Sequence, residues 1–149
     1  MKQPLWDSRF YKLAMEIACW SKDPERKVGV VIVDSHRRVI GVGYNGFPRG
    51  MLDSAKRLKD VEERRLISVH AETNAILNTT TTLGATLYST SFPCADCAGI
   101  IIQAGIFRVV APLPETDSSW ATSWDMALAM FKEAEVTTYL QHVWEPDED

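Results

Sequence analysis

Thr86-Leu87-Tyr88-Ser89-Thr90, the run from Cys94 to Ala104, and Phe107-Arg108-Val109-Val110-Ala111 decide the fold. The outer two pieces carry the aromatic and β-branched residues of strands, and the middle piece, rich in Ala and Ile, suits a helix. Trp120–Lys132 reads as a further helix and Val136–Leu140 as a final strand. The second half therefore runs strand, helix, strand, helix, strand. About 25 residues containing a helix separate the last two strands, a crossover long enough to make them parallel.

Upstream, Phe10, Leu13, Ala14, Ile17, Ala18 and Trp20 recur at the spacing of an amphipathic helix over residues 7–20, with Asp7 as its cap and Cys19 as a small core or near-core residue. Ser21-Lys22-Asp23-Pro24 ends it, because the residue before a proline is disfavoured in helical conformation. Val28–Val33 and Val39–Tyr44 read as strands, and the short turn Asp34–Arg37 makes them an antiparallel hairpin. Residues 45–69 carry the breakers Asn45-Gly46, Pro48 and Gly50, with a charged helical stretch near 55–66, and a helix follows from His70 to about Thr79. The expected architecture is α/β: a three-layer α/β/α sandwich built on a five-stranded mixed sheet, in one domain spanning residues 1–149.

The 149 residues, 46% hydrophobic and 24% charged, exclude a disordered, collagen-like or disulfide-scaffold chain. The net charge of −4 hides a strong asymmetry. Residues 1–65 hold fourteen Lys and Arg against nine Asp and Glu, whereas residues 66–149 hold two against eleven and end in Glu145-Pro146-Asp147-Glu148-Asp149. An anionic ligand is expected to meet the N-terminal half, and the acidic half to repel a long polyanion. Residues 1–7 lack the apolar core of a signal peptide and no stretch is long enough to span a membrane, so a cytoplasmic location is expected. Three cysteines do not make a disulfide framework there.

His70-Ala71-Glu72 and Pro93-Cys94-Ala95-Asp96-Cys97 are the chemistry-bearing pieces. A lone Cys-x-x-Cys is compatible with redox work, but with a His-x-Glu at another helix start it favours a three-ligand zinc site with an open fourth position. Cys94 and Cys97, at i and i+3, share a helix face whose positive N-terminus favours their thiolates. His70 is the third ligand. An open zinc site lowers the pKa of a bound water toward 7, and Glu72 is placed to carry its proton to a substrate ring and a leaving amine. A purely structural zinc knot gives no reason for a carboxylate at Glu72. The set matches the H-x-E…P-C-x-x-C signature of zinc nucleobase deaminases.

The resemblance extends beyond that signature. Ser21-Lys22-Asp23-Pro24, Lys27-Val28-Gly29, the run Gly43-Tyr44-Asn45-Gly46-Phe47-Pro48-Arg49-Gly50, the run from His70 to Ile76, the run from Phe92 to Ala98, and the run from Ile101 to Ile106 together resemble the deoxycytidylate deaminase family, in its order. The resemblance implies a cytidine deaminase-like fold, hydrolysis of dCMP to dUMP with one catalytic Zn2+, and a homo-oligomer, commonly a hexamer, switched by dCTP and dTTP. It also implies that Asn45 contacts the nucleotide sugar or base edge and that Gly43, Tyr44, Asn45 and Gly46 line substrate and effector pockets, with Mg2+ accompanying a triphosphate effector. Lys22, Arg26, Lys27 and Arg49, with Ser21 beside them, become candidates for the 5′-phosphate. Residues 113–124 depart from the family pattern; Trp120 and Trp124 there are spaced to stack on a base or to pack in a core or subunit contact.

The alternatives are a deaminase of dCTP or a modified deoxycytidylate, a tRNA or single-stranded DNA deaminase, a free-nucleoside deaminase, and a non-catalytic zinc-stabilised binding protein. A polynucleotide enzyme needs a track of positive charge, which the acidic second half opposes. A nucleoside enzyme leaves the basic N-terminal loop without purpose and usually places Cys where His70 stands.

Overall fold

The computed structural model describes residues 3–114 and 119–141. The acidic end 145–149 and part of the 113–124 segment lie outside the described residues. In chain order the elements are α1 (Gln3–Ala18), β1 (Gly29–Val33), β2 (Val39–Tyr44), α2 (Ala55–Lys59), α3 (Val61–Ile67), α4 (Ala71–Leu77), β3 (Thr86–Ser89), α5 (Ala95–Gln103), β4 (Arg108–Pro112), α6 (Ala121–Glu133) and β5 (Thr137–Gln141). The sheet order is β2-β1-β3-β4-β5. β1 is antiparallel to β2 and β3, whereas β3, β4 and β5 run parallel, as the length of the helical crossovers permits.

Alternation along the strands sorts the core into two layers. Val31, Val33, Tyr88 and Val110 pack under Phe10, Ala14 and Ile17 of α1. Val30, Ile32, Leu87, Val109 and Ala111 face the other way, toward Ala71 and Ala75 of α4, Ala98 and Ile101 of α5, and Trp124, Ala127 and Phe131 of α6. Strand β1 is buried throughout, which explains its unbroken apolar run. Helices thus cover both faces. Among the described residues no helix is long and apolar enough to cross a membrane.

Several local expectations change. Helix α1 starts at Gln3, with Pro4 in its first turn where the missing N–H costs nothing, so Asp7 lies inside the helix and not at its cap. Its buried carboxylate accepts hydrogen bonds from Arg108, Tyr88 and Gln3. Cys19 lies just past the helix and is exposed, its Sγ 3.5 Å from the Met15 carbonyl, while Ala14, Ile17 and Ala18 take the buried face. Trp20 is exposed too, edge-on to Tyr44. The charged stretch is two short helices: Asp60 ends α2 and its carboxylate accepts from Glu63 N to cap α3.

Candidate active site

The N-termini of α4 and α5 converge beside the carboxyl end of β3. His70 is the extended residue before α4, and Cys94 the extended residue before α5. Each is held by neighbours in space: Val69 pairs with Gly46 through hydrogen bonds of 2.8 and 3.2 Å, Asn74 donates to the Tyr44 carbonyl, and Ser123 of α6 accepts from Ala95 N at 2.8 Å. The loop after β2 and helix α6 thereby fix where the two helices start.

His70 Nδ1 lies 3.5 Å from Cys94 Sγ and 3.3 Å from Cys97 Sγ, and the three ligand atoms all fall within 4.8 Å of one another. Tetrahedral zinc, with Zn–S near 2.3 Å and Zn–N near 2.0 Å, sets its ligand atoms roughly 3.5 Å apart. The spacing fits that ion, and so does the soft, nitrogen-and-sulfur donor set. A hydrogen bond from the Cys97 thiol, joined by His70 and partly opposed by burial, pulls the Cys94 thiol down to about 4. Its thiolate, together with burial and the Glu72 charge, pushes the Cys97 thiol up. The pair thus readily loses its first proton and resists losing its second, a cost that a bound dication removes. The hydrogen bond with Cys94 raises the pKa of His70 against burial.

Glu72, in the first turn of α4, is 4% exposed. Burial pushes its carboxyl up from the usual range, and its Oε1 lies 3.2 Å from Ser89 Oγ. A carboxyl group biased toward holding a proton, beside a site for a Lewis acid, suits proton transfer.

A cavity of about 660 Å³ opens from His70, Glu72 and Cys94. Asn45 and four cations, Arg26, Lys27, Arg64 and Arg65, also line it, with Trp120 and Trp124. Arg26 donates to Ser91 Oγ and lies over the Trp124 ring, 5.4 Å from its centre. A smaller cavity of about 160 Å³ adjoins it, lined by Trp20, Lys22, Tyr44 and Gly46 among others. Asp23, Asn45, Arg64 and Ser68 belong to both walls.

The expected site residues divide accordingly. His70, Glu72, Cys94, Asn45, Lys27 and Arg26 come together on the larger cavity, with Cys97 buried behind Cys94. The Asn45 amide is engaged by the backbone, Oδ1 accepting from Val28 N at 2.9 Å and Nδ2 donating to the Arg26 carbonyl at 2.8 Å. Ser21 is buried and donates to the Asn45 carbonyl. Lys22 pairs with Asp53 on the smaller cavity. Arg49 lines neither cavity and donates to Asn78 at the end of α4. Gly43 lines neither: a Cβ there would lie 2.3 Å from Ala75 N and 2.6 Å from Ala71 O, so its bareness serves the close packing of α4 on β2. Arg64 escaped the sequence reading. It is 3% exposed, donates to the Leu58 carbonyl and pairs with Glu25 at 2.7 Å, and nothing in its charged run distinguishes it from its neighbours.

Residues 4–112 match the family model described as the cytidine and deoxycytidylate deaminase zinc-binding region. The chain belongs to that family. Among its relatives in the family, an uncharacterized deaminase from the luxG 3′ region of Aliivibrio fischeri is 42% identical over 137 residues, covering 88% of this chain and 90% of its own. Human deoxycytidylate deaminase is 40% identical over 112 residues, 70% of this chain and 63% of its own length. That of Mycobacterium phage D29 is 39% identical over 126 residues, 75% of this chain and 98% of its own. The chain spans only a little over half of some other family members, 58% of a Drosophila melanogaster relative and 54% of one from Caenorhabditis elegans. The crystal structure of cyanophage S-TIM5 dCMP deaminase in complex with dCMP and dUMP superposes with a TM-score of 0.75 at 22% identity, covering 95% of this chain and 99% of that one. Acinetobacter baumannii RibD gives 0.68 at 23% identity, covering 93% of this chain and 36% of that one. Both share this deaminase fold.

Proposed function

We propose that the chain hydrolyses dCMP to dUMP and ammonia, feeding thymidylate synthesis. The observation that carries the reading is one cavity lined by His70, Cys94 and Glu72, with Cys97 behind them, and by Arg26 and Lys27; Arg64 and Arg65 on the same wall are paired with Glu25. The first group suits a pyrimidine ring, and Arg26 and Lys27 suit its single phosphate. The names and matched lengths of the relatives support it.

His70, Cys94 and Cys97 hold the zinc, which when bound supplies a Lewis acid able to generate a nucleophile from water near neutral pH. Glu72 accepts one proton of the attacking water and delivers it to the ring nitrogen beside C4 as the C4–O bond forms, then takes the proton of the new C4 hydroxyl and delivers it to the amine as the C4–N bond breaks and the C4 carbonyl forms. One water is consumed and one ammonia leaves. Lys27 and Arg26 hold the 5′-phosphate, Asn45 shapes the sugar end, and Trp120, edge-on to the His70 ring, closes the ring end. Lys22, Ser21 and Arg49 act through the loops they brace.

The smaller cavity, with Tyr44, Asn45, Gly46 and Lys22 on its wall, is our candidate for a dCTP or dTTP effector, with Mg2+ on its triphosphate. We place the single deaminase domain over residues 1–149, in the cytoplasm, as a homo-oligomer of the hexameric type.

A spectrophotometric assay of dCMP, dCTP, cytidine, deoxycytidine and an oligonucleotide, with and without a chelator, tests the reading. Expected is dCMP turnover that the chelator abolishes and that Glu72→Ala abolishes with zinc still bound. Turnover retained in Glu72→Ala overturns the mechanism, and faster turnover of the oligonucleotide overturns the substrate.

A further inference from the structure

Ser89 is the last residue of β3 and is wholly buried. Two residues after Leu87, it projects to the same face of the sheet, the face covered by α4, α5 and α6. Packing and strand propensity favour an apolar or β-branched residue at such a place, and a serine there needs a polar reason. The structure supplies two. The hydroxyl makes a local turn, accepting from Ser91 N at 3.3 Å and lying 2.7 Å from the Ser91 carbonyl. It also lies 3.2 Å from Glu72 Oε1, across from another element, and the turn alone does not account for that contact.

We propose that Ser89 is a positioning residue whose hydroxyl, reaching from β3 to Glu72 Oε1 at 3.2 Å, fixes the orientation of the Glu72 carboxyl group. This rests on the proton-carrying role of Glu72 given above. A hydroxyl has one hydrogen and can accept as well as donate. The Ser91 carbonyl at 2.7 Å and the Ser91 N–H at 3.3 Å fix the hydroxyl in place, and from there it reaches Glu72 Oε1 on the facing helix. An apolar residue at 89 offers the carboxyl no such anchor. Ser91 also accepts from Arg26 on the cavity wall, so the turn that holds Ser89 is tied to the substrate side.

The test compares wild type, Ser89→Ala, Ser89→Thr and Glu72→Gln for kcat and KM on dCMP, bound zinc and melting temperature, with a crystal structure of the zinc-loaded Ser89→Ala protein. Misplacing a reacting group by a fraction of an ångström lowers a rate by about tenfold or more. Expected for Ser89→Ala is a kcat lower by about tenfold, KM within about twofold, unchanged zinc, and a Glu72 side chain turned to a second rotamer or split between two. Ser89→Thr, which keeps the hydroxyl, restores kcat to within about threefold. An unchanged kcat in Ser89→Ala, or a loss matched by loss of zinc, overturns the proposal. So does a folded, zinc-loaded Ser89→Thr protein as slow as Ser89→Ala. If Glu72→Gln is inactive while Ser89→Ala is fully active, only the positioning role fails. If Glu72→Gln itself turns over, the role of Glu72 fails and the positioning role falls with it.

Discussion

The Asp7 carboxylate and the Arg108 guanidinium meet in a two-pronged ion pair, Nη1 to Oδ1 at 2.8 Å and Nη2 to Oδ2 at 2.5 Å, joining α1 to β4 across 101 residues of sequence. Tyr88 of β3 adds its hydroxyl to Oδ1 at 2.6 Å. The pair is nearly closed to water, with side-chain exposures of 15% for Arg108 and 4% for Asp7. Removing one partner leaves the other charge buried and unmatched, at a cost of about 3–5 kcal/mol. Arg108→Met should lose stability of that order in urea denaturation, and a loss below about 1 kcal/mol would show that water reaches Asp7.

The same carboxylate gives the stability a pH dependence. Burial works to raise the Asp7 pKa, but the hydrogen bonds from Arg108, Tyr88 and Gln3 outweigh it and hold the group below its usual range. A carboxylate depressed in the folded state stabilises above its unfolded pKa of about 3.9, and that stability is lost as pH falls through the lower folded value. Asp7→Asn should therefore be less stable than wild type at pH 7, with the gap narrowing below about pH 4. Denaturation midpoints across that range check it; a constant gap removes the ionised pair as its source.

Metal removal separates the ligands from Glu72. Cys94→Ser replaces a thiolate with a hydroxyl, a poor zinc ligand at neutral pH. Zinc content by atomic spectroscopy should fall with activity in Cys94→Ser, and zinc added to chelated wild type should restore turnover. Full zinc in Cys94→Ser would exclude its Sγ as a ligand.

The strands, the crossover and the meeting of His70 with Cys94 and Cys97 were legible because each depends on local pattern or on chain length. Leu87 to Ala111 alternates or runs apolar according to which faces are buried, and the long link before Val136 leaves the parallel arrangement. His70 and Cys94 converge because both precede helices that start at one end of the sheet. The roles of Asp7, Arg64 and Ser89 depend on partners 101, 39 and 17 residues away, at Arg108, Glu25 and Glu72, and no local spacing encodes those meetings. Gly43 misleads for a related reason. A glycine that admits a ligand and one that admits a helix look alike in sequence.

Two arginine and lysine positions that the sequence treats alike should behave differently. Lys27 lines the larger cavity, whereas Arg49 lines neither cavity and is bonded to Asn78. Lys27→Ala should raise KM for dCMP by about tenfold, the scale of one charge-assisted hydrogen bond to phosphate, with a smaller effect on deoxycytidine. Arg49→Ala should leave KM within about twofold. Equal effects of Lys27→Ala on dCMP and deoxycytidine would exclude a phosphate contact.

Gly43 and Gly46, three residues apart, give the sharpest contrast. A Cβ on Gly43 collides with the backbone of α4, 2.3 Å from Ala75 N, and backbone atoms of a packed helix cannot yield without moving the helix that carries Glu72 and starts beside His70. A Cβ on Gly46 meets nothing within 4 Å, and no positive φ constrains the position. Gly43→Ala should lose about 1–3 kcal/mol of stability, the usual scale of overpacking, and lose activity with it. Gly46→Ala should keep stability within about 0.5 kcal/mol and keep dCMP turnover measured without nucleoside triphosphate, because its added methyl points into open space. Any change it makes should appear only when dCTP or dTTP is present, as a shift in the concentration needed for response. Loss of basal turnover in Gly46→Ala would place that residue on the substrate side of the wall that the two cavities share.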